Sequence, residues 1–435
     1  MQFFFAREGI MVDYKQALAF IHGRPRMRKE PTLKRMETFL GKIGQPQKSI
    51  RGVHVAGTNG KGSTIAFLAQ MLEDSGHQVG TFTSPFLERF NERIAVNGMP
   101  ISDEEIVELV EWIKPVVDEM DRTELGGPLE FEIVTAMMFL YFKRHPVDIV
   151  LVEVGIGGRY DSTNVFTPVV SVITNIGWDH MQILGDTLPK IAFQKAGIIK
   201  ESVPLITGTE DMAALKVLEE ESQKMHASIK VLNRDFSLDL NKHSFRNESA
   251  KINDLQSGLL GVYQLNNLAV ALETMLQVSQ RLNWKVQDEQ IRGAIQHTHW
   301  AGRMEVVQEQ PQIVLDGAHN LPGIQALKKS IQSYWSERHV FILAAILDDK
   351  LFEAMLAELI ELEHVDVTLT SFSGPLKRTA VDRSELSDDI QNSVEYQENW
   401  KQALEAIMSK AQPDDVIIIT GSLYFISEVR PQIIK

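Results

Sequence analysis

The chain has no cysteine among its 435 residues, which excludes disulfides, thiolate metal sites and cysteine nucleophiles. Positive charge is scarce as well: 44 Lys and Arg stand against 58 Asp and Glu, a formal net charge of −14. Nucleic-acid binding needs a basic face, so this balance argues against it. It also repels anionic ligands, which must be held by locally concentrated cations or metal ions. Long apolar runs are missing too. None approaches the length of a bilayer span, and the apolar residues of "MQFFFAREGI" before Arg7 and Glu8 are too few for a signal-peptide core. The expectation is a cytoplasmic protein that engages neither nucleic acid nor membrane, with Met11 a second candidate start. No repeat or low-complexity tract interrupts the chain.

What is present points to two α/β units. A length of 435 residues exceeds one typical core. Residues 50–56 read as a strand stopping at Gly57, followed by a helix from Ser63 to about Asp74 and a strand at 78–83. Ser102 to Glu105 form a capping box that opens a helix with Ile106, Leu109, Val110 and Ile113 on one face. After a helix near 130–143, the runs 147–155, 168–176 and 203–207 are nearly continuous in apolar residues, as strands buried on both faces of a parallel sheet are. The polar stretch 233–254 reads as short strands or loops at the sheet's edge, with helices following near 265–282 and 287–297. A second βα series then has strands at 312–318, 339–346, 364–370 and 414–422. The predicted class is α/β: a larger unit built on a largely parallel sheet over 1–299, then a smaller Rossmann-like unit over 300–435.

Five segments carry chemistry. In "HVAGTNGKGST" (54–64) a strand meets a helix through three glycines and Lys61, so backbone N–H groups and the helix dipole converge on an anion site. The usual pattern G-x-x-x-x-G-K-[ST] fails, because Gly62 follows Lys61 and the hydroxyl arrives late at Ser63. Glu153, in "EVGIGGRYDSTN" (153–164), ends an apolar strand where open α/β sheets bind ligands. A carboxylate there is costly unless it meets an arginine or a metal. Asp179 and His180 follow another strand, in "TNIGWDHMQILG" (174–185), where a capped turn is the bland alternative. Lys195 lies in the apolar stretch "IAFQKAGIIK" (191–200), and snorkelling is its ordinary explanation. Arg303 stands at the domain junction, with Asp316 and His319 after the first long strand of the second unit; pockets favour such junctions.

In this order, the segments closely resemble the folylpolyglutamate synthase/dihydrofolate synthase family, within the ATP-dependent Mur-type amide ligases. The likeness adds "TSPFLERFNERIAVNG" (83–98), "KAGIIK" (195–200), "YQLNN" (263–267), "DGAHN" (316–320) and "GSLYFISEVR" (421–430), and runs from about Tyr14 to Arg430. It implies that the shifted Lys-Gly-Ser spacing is the family's own phosphate loop, with Asn59, Gly60, Lys61, Gly62 and Ser63 around the ATP phosphates. By the same resemblance Ser84 and Glu153 hold one Mg²⁺, and Glu153, His180 and a carbamylated Lys195 serve a second. Asn267 meets the adenine, Arg303 and Asp316 reach ATP from the second domain, and His319 faces the cleft. Lys61, Lys195, His180 and His319 are the catalytic candidates. Phe86, Phe131, Tyr160 and Asp161 are candidates for the substrate surface. Phe86 stands where many relatives have His, Tyr263 and Gln194 replace a common His and Glu, and Leu321 is inserted after Asn320.

The implied reaction joins L-glutamate to a folate or dihydropteroate carboxylate through an acyl phosphate, with ATP as co-substrate, two Mg²⁺ ions and a monomeric enzyme. Two other readings are a Mur-type peptidoglycan ligase and a non-catalytic ATP-binding switch. The first needs an additional N-terminal domain for which a phosphate loop near residue 57 leaves little room. The second needs one Mg²⁺ and no Lys195 segment.

Overall fold

Short apolar stretches build two separate sheets. The computed structural model describes residues 13–26, 31–239, 242–372 and 379–434; the alternative start at Met11 lies outside them. The larger sheet comprises β1 (Gly52–Ala56), β2 (Val79–Phe82), β3 (Ile94–Val96), β4 (Met99–Pro100), β5 (Ile149–Glu153), β6 (Val170–Ile173), β7 (Leu205–Thr207) and β8 (Ile229–Val231), in the order β4-β3-β2-β5-β1-β6-β7-β8. Only the β3–β4 hairpin breaks its parallel pairing. Its strands alternate between two cores. Val53, Val55, Ile149 and Leu151 pack against helices Lys61–Asp74, Gln264–Leu282 and Asp288–His297. Val150 and Val152 face helices Tyr14–His22, Lys34–Lys42, Asp103–Met120 and Glu130–Arg144 on the other side. The Ser102 capping box forms as predicted: its side chain accepts the Glu105 N–H, and Glu105 accepts the Ser102 N–H.

The stretch 233–254 departs from expectation. It forms its own antiparallel sheet, β9 (Phe236–Asp239), β10 (Ser244–Asn247) and β11 (Lys251–Ile252), rather than extending the large sheet. Phe236, Phe245 and Ile252 explain this, because they enter the core shared with helix Gln264–Leu282.

The second sheet contains β12 (Glu305–Glu309), β13 (Gln312–Leu315), β14 (Val340–Ala344), β15 (Val365–Ser371), β16 (Glu395–Asn399) and β17 (Val416–Thr420), ordered β12-β13-β17-β14-β15-β16. β12 runs antiparallel to β13 and the remaining pairs are parallel. Helices again cover both faces, over separate cores. Leu260 and Tyr263, from the earlier part of the chain, pack against one of them. Among the described residues no helix is long and apolar enough to cross a membrane.

Strand order positions the site. β2, β5, β1 and β6 are consecutive neighbours, so Ser84, Glu153, the 57–63 loop and the 174–180 segment all emerge at adjacent carboxyl ends. β13, β17 and β14 do the same for Asp316, Ser422 and Lys350. Ligands of open α/β sheets bind at such ends, and here two of them face one cleft of about 660 Å³.

Candidate active site

The phosphate-type loop is shaped by its glycines. Gly60 has φ +82°, a left-handed conformation that favours glycine, and a side chain there would run into Asn267. A Cβ on Gly57 would strike the Thr174 hydroxyl. Gly62 has no unusual backbone, but a Cβ there would lie 2.8 Å from Trp300 Nε1. Lys61 opens the helix and curls back, donating from Nζ to the carbonyls of Gly57 (3.2 Å) and Thr58 (3.3 Å). Ser63 is buried in the first turn and lines the cleft. The Asn59 amide donates to Asn175 Oδ1 at 3.0 Å, and its side chain pairs reciprocally with that of Asn320 in the second unit, 3.0 Å each way.

Glu153 is buried at the end of β5. Its Oε2 accepts the Ser84 N–H at 3.0 Å, and its Oε1 lies 3.8 Å from Lys61 Nζ. Burial pushes its pKa up, against the pull of Lys61, the Ser84 N–H, Arg303 and Arg93. The Ser84 hydroxyl accepts from Arg93 Nη1 at 3.0 Å.

Lys195 does not snorkel. It is buried, and its Nζ donates to the Gly57 carbonyl at 2.9 Å, the acceptor that Lys61 also uses. Burial and the nearby Lys61 charge lower its pKa to about 7.

Asp179 is the hub between the two units. It accepts from Lys350 Nζ at 2.8 Å and from Asn320 Nδ2 at 2.9 Å, and lies 3.8 Å from both His180 Nε2 and His319 Nε2. Burial alone would raise its pKa; the pull of His180, Lys350 and His319 outweighs that and holds the carboxyl below its usual range. His180, at φ 50°, is half-exposed, and burial lowers its pKa despite Asp179. His319 Nδ1 is 2.9 Å from the Gly317 carbonyl, a pairing that places the proton on Nδ1 and leaves Nε2 a lone pair. Burial lowers its pKa to about 4, so the ring is neutral near pH 7.

Asp316 holds the junction. It accepts from Tyr263 Oη (2.8 Å) and the Met304 N–H (3.0 Å) through Oδ2, and from the Ala318 N–H (3.0 Å) through Oδ1. Arg303 Nη1 donates to the Gly317 carbonyl at 3.1 Å.

The cleft therefore gathers thirteen of the seventeen residues named from the sequence, in both units. Phe86, Phe131, Tyr160 and Asp161 are not on its lining. Tyr160 is exposed, and Phe86 packs edge-on to Phe90. Asp161 is buried in its own loop, accepting the Ile156 and Thr163 N–H groups. Phe131 and Asp161 flank Gly155, the residue after Val154 on the cleft wall. Sequence reading missed Lys350, Arg93 and Asn175. Lys350 follows β14 in "LDDK" (347–350), and the carboxyl-end rule alone points there.

Among the described residues no group of three or more His, Asp or Glu side chains is placed to hold a metal ion by itself. Mg²⁺ commonly binds one or two carboxylates together with substrate phosphates, and needs no protein cage. A buried carboxylate that accepts one N–H bond, beside an anion-binding loop, fits that ion. Lys195 fits a role as oxygen donor only after conversion to a carbamate, for which its lowered pKa suits it.

Comparison with known proteins adds a second line. Residues 55–275 match the Mur ligase middle domain, and residues 302–423 the Mur ligase, glutamate ligase domain. A dihydrofolate synthase/folylpolyglutamate synthase of Bacillus subtilis is 40% identical over 428 residues, covering 97% of this chain and 99% of that one. Among solved structures, an FPGS–AMPPCP–folate complex superposes with a TM-score of 0.85 at 35% identity, covering 97% of this chain and 100% of that one. Mycobacterium tuberculosis folylpolyglutamate synthase complexed with ADP superposes with a TM-score of 0.88 at 28% identity, covering 97% and 98%.

Proposed function

The chain belongs to the dihydrofolate synthase/folylpolyglutamate synthase family of Mur ligases, and from that premise we propose how its residues divide the work. The enzyme is an ATP-dependent ligase that joins L-glutamate to a folate carboxylate. Dihydropteroate is the second acceptor, as the double name of the Bacillus subtilis relative suggests. The observation that carries the reading is the single cleft with the glycine-rich loop and Lys61 on one wall, and Arg303, Asp316 and His319 on the other.

The acceptor carboxylate attacks the γ-phosphorus of ATP, forming an acyl phosphate and releasing ADP. The glutamate amine then attacks the acyl carbon, and inorganic phosphate leaves. Phosphoryl transfer depends mainly on positioning and on neutralising charge. Residues 59–63 bind the phosphates through backbone N–H groups and the start of the helix, while Lys61 and Arg303 bring positive charge from the two units. This local concentration lets a protein of net charge −14 gather anions. Asn267, beside Gly60, faces the nucleoside. The His319 Nε2 lone pair accepts an N–H of the incoming amine and orients its own lone pair toward the acyl carbon. Ser84, Glu153, His180 and carbamylated Lys195 are the residues that would hold two Mg²⁺ ions, which supply charge neutralisation at the phosphates when bound. Phe131, Gly155 and Asp161 form a corner of the cleft wall for a flat heteroaromatic acceptor, with Phe86 beside the cleft-lining Arg93 and Tyr160 exposed. Units 1–299 and 300–435 close as a monomer over these substrates, in the cytoplasm.

The test is ADP release with ATP, glutamate and either tetrahydrofolate or dihydropteroate, against each substrate alone. Release that needs both an acceptor and glutamate is expected. Release indifferent to the acceptor refutes the folate reading, and turnover of one acceptor alone fixes which activity the enzyme has.

A further inference from the structure

Arg93 ends the short turn Phe90–Arg93 before β3 and lines the cleft. Its Nη1 donates to Ser84 Oγ at 3.0 Å, and its carbonyl accepts the Thr83 N–H at 3.0 Å, fixing it beside the Ser84 segment. Its Nε is buried and has no partner. No carboxylate among the described residues comes within ion-pair distance, whereas Arg24, Arg35 and Arg159 each have one. The Phe86 and Phe90 rings flank the guanidinium, with centroids 5.1 and 5.8 Å away. Cation–π contacts of this kind contribute about 0.5–2 kcal/mol, less than the several kcal/mol that withdrawing an unpaired cation from water costs. A charged, poorly satisfied fork on a cleft wall is built for an anion that arrives with a ligand.

Which anion follows from the order of groups. Lys61 Nζ lies 3.8 Å from Glu153 Oε1, Glu153 Oε2 accepts the Ser84 N–H, and the Ser84 hydroxyl accepts from Arg93. Glu153 and Ser84 thus separate two cations, one rooted in the phosphate loop and the other flanked by aromatic rings. We propose that Arg93 grips the carboxylate of the acceptor substrate, the group to be phosphorylated, on the side of Glu153 away from Lys61. The assignment rests on the ligase reading above. In-line transfer brings that carboxylate to within about 3–3.5 Å of the γ-phosphate, and two anions meet at that distance only if each has its own counter-charge. A guanidinium matches a carboxylate with two parallel N–H···O bonds, which an ammonium cannot. In dihydropteroate, whose carboxylate sits directly on an aryl ring, the Phe86 and Phe90 rings beside Arg93 suit that ring; in a folate the gripped group is the γ-carboxylate of the glutamyl tail.

The experiment compares wild type, Arg93→Gln and Arg93→Lys by ADP release, varying ATP and tetrahydrofolate separately. Arg93→Gln is expected to raise the KM for tetrahydrofolate by about 30-fold or more, as loss of one member of a buried charge pair does, and to leave the KM for ATP within about 2-fold. Arg93→Lys keeps the charge without the fork and falls between. A binding measurement needs no turnover: wild type should bind folic acid at least ~10-fold tighter than its γ-carboxamide, as a charge-assisted pair implies, and Arg93→Gln should bind both alike. An unchanged tetrahydrofolate KM, an ATP KM that rises in step, or a carboxylate preference retained in Arg93→Gln overturns the assignment alone. A wild-type protein that turns over no acceptor sinks the ligase reading and this assignment with it.

Discussion

Gly62→Ala tests why the phosphate loop carries glycine where the common pattern has a hydroxyl residue. Gly62 occupies the first turn of helix Lys61–Asp74 with no positive φ, so backbone conformation alone welcomes alanine. Helix propensity favours the change by about 0.5–1 kcal/mol. Packing opposes it: the new Cβ would lie 2.8 Å from Trp300 Nε1 and 3.1 Å from its Cε2 and Cζ2. These three atoms belong to one rigid indole packed against the core, so no flexible tip can swing aside. Overpacking of this kind costs about 1–3 kcal/mol, which against the propensity gain leaves a net penalty of roughly 1.2 kcal/mol at mid-range and at most about 2.5 kcal/mol. Relief has two routes, retreat of the helix start that carries Lys61 and Ser63 or retreat of Trp300. The second route drags Arg303, whose N–H donates to the Trp300 carbonyl at 3.3 Å. Both disturb the nucleotide wall. The ATP KM should rise by about 8-fold, and at most about 60-fold, at 1.4 kcal/mol per tenfold, with the acceptor KM little changed. Trp300→Leu should absorb the methyl group, so that Gly62→Ala costs little in that background. An unchanged ATP KM, or additive effects of Gly62→Ala and Trp300→Leu, would refute the steric account.

The other predictions concern buried titratable groups. Lys195→Ala should abolish ligation, and a short carboxylate should restore part of it; activity that survives in Lys195→Ala without either CO₂ or that carboxylate rules out the carbamate. Glu153→Gln removes a buried carboxylate proposed to hold Mg²⁺ and should raise the Mg²⁺ concentration for half-maximal activity by at least ~10-fold, in line with the loss of a negative charge facing the ion; an unchanged Mg²⁺ titration refutes its assignment. His54 is fully buried, 2.8 Å from Thr163 Oγ1, and burial lowers its pKa to about 3. Because the unfolded chain binds a proton first, His54 supports stability above pH 6.5, and that support fades as pH falls toward 3. Denaturation from pH 7 to 4 should show wild type losing stability faster than His54→Gln, by up to about 1.4 kcal/mol per pH unit below 6.5; parallel curves would show that His54 is protonated in the fold.

Legibility followed the range of the neighbours that define each group. β1, β5, β6 and β17 are buried on both faces and read as apolar runs, so strands and carboxyl ends were visible together. β12 (EVVQE) and β16 (EYQEN) are partly exposed edge strands whose pairing comes from β13 and β15, with no periodicity of their own to find. The site divides in the same way. Glu153 announced itself because a carboxylate at the end of an apolar strand is anomalous locally. Lys195 was locally ambiguous, and the deciding facts are its burial and a carbonyl 138 residues away. Lys350 and Asp179 meet across 171 residues, and either alone is an ordinary surface-type residue. Arg93 is the limiting case, since its defining property is a missing carboxylate, and a sequence lists partners without showing which of them stay away. The glycine after Lys61 belongs with these. It looked like a flaw in a local motif, and it becomes intelligible only with Trp300, 238 positions further on, which fills the space a side chain there would need.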